Sequence, residues 1–360
     1  MAFLSANSYL GLAPETTRGT AATTGAIYIP VTTPQTTPMQ TFLRDEAFRG
    51  SPTTVYDHVQ GIRHDEYDAK VYLYADTFGN LVKSVLGGVD TVQTSVPNAG
   101  LYTHTIKLLN SASIGSQPQS YSILDFDGAN YFLMTGAQAD SLNITFGAEA
   151  AADATVKFMA NPYTSSTSAP AGTAFSTFTW PANGDHMIPA WNTVVQYGPI
   201  GGSLTTYNWI QTGELSIARK TTPIHTMGQQ SPYALFAGPI EVTGKFTAVV
   251  DNNADSWSTA STYTPVTTTT GTLSATADAL SRDPQKMIIT MTDPNDNVST
   301  GSQSIGFTLN NVQMHDVKRT RGKEYTEVEV SFTANANTTD ATTGFSPIQA
   351  TIVNAVTNAY

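Results

Sequence analysis

Apolar and polar residues alternate with period two along much of this chain. One alternating stretch, Glu66 to Asp76 (EYDAKVYLYAD), returns in altered form at Glu241 to Asp251 (EVTGKFTAVVD). Tyr67, Ala69, Val71, Leu73 and Ala75 in the first, and Val242, Gly244, Phe246, Ala248 and Val250 in the second, form one mostly apolar face. That is the pattern of a strand buried on one side. At a single offset, 241 − 66 = 175, Glu66 meets Glu241, Lys70 meets Lys245 and Asp76 meets Asp251. The spacing recurs: V-x-F-x-A-N occurs at Val156 to Asn161 and at Val330 to Asn335, with 330 − 156 = 174, and Phe132 faces Phe307 at 175. A period this long is that of a doubled domain, since solenoids repeat every 20 to 50 residues.

The same patterning predicts further strands at 26–31, 39–49, 102–108, 120–127, 131–136, 141–146 and 155–160 in the first half. In the second half they fall at 193–197, 207–219, 240–250, 286–292, 305–309, 312–319 and 325–333. The segment with Asp57, His58, His64 and Asp65 reads as a loop or a long hairpin arm, and residues 90–100 as a loop. One helix is clear: Phe78, Leu81, Val82, Val85 and Leu86 fall at i, i+3, i+4, i+7 and i+8, Asp76 or Thr77 can cap it, and Gly87-Gly88 stops it. Its counterpart, residues 252–262, lacks the apolar stripe. A short closing helix is expected after Ser346-Pro347, with Ile348, Ile352 and Val356 on one side. The expected fold class is all-β: two tandem copies of a β-sandwich or barrel, each with at most one short flanking helix. The first domain spans 1–165, a Thr-, Ser- and Pro-rich linker 166–185, and the second domain 186–360.

Composition narrows function. The 360 residues allow two cores, and only 12% are charged, which disfavours long surface helices. The formal net charge is −11, so no broad basic face exists to neutralise phosphates; Lys318, Arg319, Arg321 and Lys323 are the one dense basic cluster and read as a solvated hairpin or subunit contact. Cysteine is absent, removing disulfides and thiolate chemistry and fitting synthesis in a reducing cytoplasm. The first residues lack a basic segment followed by an apolar core, so cleaved export is not expected, nor is a membrane partner, since no run approaches ~18 apolar residues.

Candidate chemistry is sparse. His58 and His64 with Asp57, Asp65 and Glu66 could be imagined around a divalent metal, but they lack tight ligand spacing and read as a polar loop. Asp293-Pro-Asn295-Asp296-Asn297 lacks the glycine and closing glutamate of a calcium loop and reads as a β-turn. No nucleophile elbow, phosphate loop, dinucleotide fingerprint or zinc-protease pair occurs, so no catalytic, cofactor-binding or metal residues are assigned and the chain is not read as an enzyme. Sixteen tyrosines and four tryptophans keep a carbohydrate- or receptor-binding β-sandwich as the alternative. Tyr72 and Tyr74, on the second face of the repeated strand, suggest cover from another subunit or sheet.

Gly11-Leu-Ala-Pro-Glu15-Thr-Thr-Arg18-Gly19-Thr-Ala, then Arg44-Asp45, Arg49-Gly50-Ser51 and the strand and helix from Glu66 through Gly88 resemble conserved blocks of the major tail tube proteins of long-tailed (siphovirus-type) bacteriophages. The resemblance implies a structural subunit of the virion tail, made in the host cytoplasm. Such subunits form stacked rings whose strands join into one inner barrel, a conduit for genome delivery. Family rings hold six single-domain subunits, so two domains per chain imply a homotrimeric ring with pseudo-sixfold walls. Implied partners are further copies of itself, tape measure, terminator and tip proteins, and DNA passing the lumen without sequence-specific contact; no cofactor is implied.

Overall fold

In the computed structural model, which describes residues 5–94, 100–110, 117–179, 186–207, 209–249, 285–294, 302–322 and 326–360, the protein is nearly all β. The first half holds β1 (Tyr9–Pro14), β2 (Ile27–Ile29), β3 (Thr33–Asp45), β4 (Asp57–Tyr72), α1 (Ala75–Leu86), β5 (Gly87–Thr94), β6 (Tyr102–Leu108), β7 (Tyr121–Phe126), β8 (Tyr131–Gly147), β9 (Asp153–Ala160) and β10 (Thr164–Ser166). The second holds β11 (Thr193–Pro199), β12 (Thr205–Tyr207), β13 (Ile210–Ala218), β14 (Thr222–Ile224), β15 (Ala234–Phe236), β16 (Glu241–Val249), β17 (Gln285–Thr292), β18 (Ser304–Arg321), β19 (Thr326–Ala334) and β20 (Gln349–Asn354). Eighteen strands join in one open hydrogen-bonded network, with β14–β15 as a separate hairpin.

Strand pairing follows one order in both halves. β1 pairs with β2 and β7 as β11 pairs with β12 and β17. The series β7–β8–β9–β4–β3 is matched by β17–β18–β19–β16–β13, and β10 lies on β8 where β20 lies on β18. Irregularities coincide too. The β8–β9 ladder shifts between Ala139 and Ser141, the β18–β19 ladder between Met314 and Asp316, and 314 − 139 = 175. The β7–β8 shift at Tyr121/Ile123 has its match at Gln285/Met287 in β17–β18. Two ladders depart: Lys70 faces Thr155 but Lys245 faces Ser331, a slip of two residues relative to the V-x-F-x-A-N spacing. An even slip keeps every side chain on its own face.

The halves are fused rather than tethered. β13 pairs with the outer edge of β8, and β20 with β6, so one apolar core runs through both. A smaller cluster of Ala13, Ala22, Tyr28, Leu124 and Phe175 pins down part of the segment after β10. Arg219, at the end of β13, inserts its guanidinium against the C-terminal carbonyls of α1, bonding Val85 and, at 2.9 Å, Leu86. Burial lowers its pKa to about 10, and the contact places a cation where the helix dipole ends negative.

Several elements differ from the sequence expectation. The closing helix is instead β20, whose Ala350 and Ile352 are buried, as is Ile348 just before it; spacing i, i+4 fits strand alternation as well as a helix, and β18 and β6 on either side supply the ladder. Residues 90–94 belong to β5 rather than a loop. The strands expected separately at 131–136 and 141–146 are one bulged strand, β8, as are 305–309 and 312–319 in β18. Helix α1 stands as expected, with Gly87 at φ 70° as its cap, but Tyr74 precedes it with no side-chain cap, while Asp76 accepts from the Ala355 N–H at 3.2 Å. Residues 252–262 and 295–297 lie outside the described residues.

Candidate lumenal face and edge strands

Eight strands, β3-β4-β9-β8-β13-β16-β19-β18, form one continuous sheet that crosses from the first half to the second. Its inner face is apolar: Tyr67, Ala69, Val71, Val156, Phe158, Leu142, Ile144, Leu215, Ile217, Phe246, Val330 and Phe332 are buried. The register puts polar residues on the other face. Gln35, Asp68, Lys157 and Ser141 follow one another across neighbouring strands, as do Asn143, Ser216, Thr243 and Thr333. That face carries eight carboxylates (Glu66, Asp68, Asp153, Glu214, Glu241, Asp316, Glu327 and Glu329) against four lysines (Lys70, Lys157, Lys245 and Lys318), so it is acidic.

Three of those lysines are held by carboxylates: Lys157 to Glu66 at 2.8 Å, Lys70 to Asp153 at 2.9 Å and Lys245 to Glu214 at 3.2 Å. A paired ammonium is a poor partner for a passing phosphate. The pKa of Asp68 is raised, mainly by burial, with the Lys157 charge opposing and those of Glu66 and Asp140 reinforcing. The remaining side chains are largely Ser and Thr.

At one margin, β3 and β4 extend as a long arm, with Met39, Phe42, Leu43, Phe48, Val59 and Ile62 exposed. The β14–β15 hairpin occupies the matching place in the second half. Phe42 faces Gln60 in the arm and Pro223 faces Leu235 in the hairpin, with 223 − 42 = 181 and 235 − 60 = 175. It too exposes apolar residues: Ile224, Met227, Tyr233 and Phe236. Its Gln230 carbonyl accepts from the Arg63 N–H at 2.9 Å, so the hairpin rests on the root of the arm.

The residues considered for metal binding do other work. Asp65 is fully buried and accepts from the Tyr163 N–H at 2.7 Å and the Arg63 Nε–H at 3.4 Å. His64 lies 6.1 Å from His225, ring to ring, and its pKa is lowered, chiefly by burial. Asp57 bonds the His58 backbone N–H at 2.8 Å. No group of three His, Asp or Glu among the described residues is placed to hold a metal ion. Asp293 is buried, its N–H bonded to the Gln303 carbonyl at 3.0 Å. Tyr72 is partly exposed on the polar face; of the basic run, Lys318, Arg319 and Arg321 lie on β18, with Lys318 and Arg321 in solvent, and Lys323 is outside the described residues.

The chain's local pattern gives no role to Glu15. Its carboxylate is buried and accepts from the Gly19 N–H (2.8 Å), Ser120 hydroxyl (2.7 Å), Ser122 hydroxyl (2.9 Å) and Gly136 N–H (2.8 Å). The four-residue separation of Glu15 and Gly19, with Gly19 at φ 76°, is the physical content of the GLAPETTRGT block. A lone glutamate among turn formers was the available signal; its three other partners, Ser120, Ser122 and Gly136, lie more than a hundred residues away.

A family model described as phage tail tube protein matches residues 5–334. Among solved structures, the chain is similar to the SPP1 tail tube, studied by solid-state NMR and cryo-EM, at 13% identity and a TM-score of 0.28. That match covers 41% of this chain and 74% of the other. No curated protein matches the chain.

Proposed function

The chain belongs to the phage tail tube protein family, and on that premise we propose that it closes the tube as a three-chain ring in which each chain supplies two copies of the tube-forming fold. The protein is a structural component of the virion tail that self-assembles into a tube, not an enzyme. The observation that carries the finer reading is the shared pairing order of the two halves, down to ladder shifts 175 residues apart. Under it, residues 1–165 and 186–360 are the two copies and 166–185 their connection. The β8–β13 seam joins copy to copy inside a chain.

In this arrangement the acidic, Ser- and Thr-rich face of the eight-stranded sheet lines the bore. Repulsion from fixed carboxylates, with three of the four lysines already paired, keeps DNA from adhering as it passes. The exposed apolar arms turn toward other rings, where burial would offset their cost in water. Tape measure, terminator and tip proteins are the expected further partners. Cryo-EM of tubes assembled from purified protein tests the reading. Threefold rings with six similar wall segments are expected; sixfold rings of whole chains, or a chain that never assembles, would overturn it.

A further inference from the structure

Resting on that reading, we propose that the outer edge of β18 of one copy pairs antiparallel with the outer edge of β3 of a second copy, in the register Thr36 opposite Val317. Among the described residues, β3 pairs only with β4, and β18 beyond Gln313 only with β19, so both edges are open. Their counterparts are not: β13 and β8 pair with each other, with Ile217 opposite Leu142. β13 maps onto β3 at 217 − 36 = 181, because Thr36 faces Tyr67 and Ile217 faces Val242. β8 maps onto β18 at 317 − 142 = 175, the offset of their shared ladder shift. Carrying the internal register across those offsets sets Thr36 against Val317 and Gln35 against Lys318.

The two seams are not equal. Arg219 donates its N–H to the Asp140 carbonyl at 2.7 Å, so Leu215, Ile217 and Arg219 direct their backbone groups into the internal seam. The matching residues on β3 are Pro34, Thr36 and Pro38. A proline cannot donate to a ladder, and these two sit opposite Ala69 and Asp65 at non-bonded positions, facing the open edge. The chain-to-chain seam therefore lacks two donors that the internal seam has, which discourages premature edge pairing between free chains. Side chains compensate in specificity: where the internal seam aligns neutral Asn143, Ser216 and Thr243, the outer one aligns Lys318, Gln35 and Asp68, with opposite charges flanking the glutamine.

The chain has no cysteine, so paired cysteines read this register directly. Facing residues at a non-hydrogen-bonded antiparallel position lie within disulfide reach. In tubes of a Gln35→Cys/Lys318→Cys variant, oxidation is expected to give covalent dimers and trimers. Asn143→Cys/Ser216→Cys, the matching internal pair, is expected to cross-link within one chain and serves as the positive control. Cross-links in Thr37→Cys/Lys318→Cys alone would overturn the register. Tubes with no inter-chain cross-link in either variant would overturn the seam while leaving the tube reading intact, and failure of the unmodified chain to assemble would overturn both. Restoring the missing donors with Pro34→Val/Pro38→Val is expected to lower the concentration needed for assembly roughly tenfold. An unchanged threshold would count against the seam.

Discussion

Two buried charged groups set what single residues do here. Glu15 gathers four donors, one from its own turn at Gly19 and three from β7 with its approach and from β8. Glu15→Ala leaves the Ser120, Ser122 and Gly136 donors without their acceptor in the interior and is expected to cost about 3 kcal/mol or more in chemical unfolding, because each buried group left unbonded costs roughly 1–3 kcal/mol. His104 is the second. Its Nδ1 lies 2.7 Å from Asp90 and its Nε2 2.9 Å from the Val356 carbonyl, so the doubly protonated ring can donate to both. Burial alone would lower its pKa, but the hydrogen bond and charge of Asp90, joined by the Val356 carbonyl, outweigh it and the net shift is upward from 6.5. A raised folded value means the stabilisation is complete below pH 6.5 and is lost as pH climbs through that folded value. Melting temperature is expected to fall over that window, and His104→Gln to flatten the profile. No local pattern gives either residue its role, since most of their partners lie far along the chain.

At the scale of elements, amphipathic pattern located most strands and α1, and missed where neighbours decided. Ile348, Ile352 and Val356 satisfy a helical spacing and a strand spacing alike; pairing on both sides made β20 a strand. Helix α1 itself depends on a residue from the other half. Replacing Arg219 with Leu removes the guanidinium from the Val85 carbonyl and leaves the Leu86 carbonyl with only the Leu109 N–H at 3.0 Å, and is expected to lower stability by about 1–3 kcal/mol in denaturant titration, with a matching loss of protection at the end of α1 in hydrogen exchange. The ladder shifts at Ala139/Ser141 and Met314/Asp316 have no sequence signature beyond glutamine followed by a short run, yet each sets one extra residue in the long strand against β9 or β19.

At the scale of the whole molecule, the polar face of the eight-stranded sheet is the surface that meets DNA in the proposed tube. Thr212 lies exposed on that face between Gly147 and Thr247, with no carboxylate opposite. Thr212→Lys therefore places an unpaired ammonium on every copy. Tubes of this variant are expected to retain short duplex DNA at low salt and release it as ionic strength rises, whereas unmodified tubes retain none. Retention by neither would remove the link between wall charge and free passage.

The all-β class, the 175-residue spacing, α1 and the acidic balance are legible in the order of residues alone, because period-two alternation, a glycine stop and net charge are local or additive properties. That order also carries the tail tube resemblance in a few short blocks. Tertiary structure alone decided which edges are closed and which stay open, which carboxylates share one face, and what Glu15 and Arg219 hold. Those depend on pairings between residues far apart in the chain, whose register is set by packing and bulges rather than by any residue's own preference.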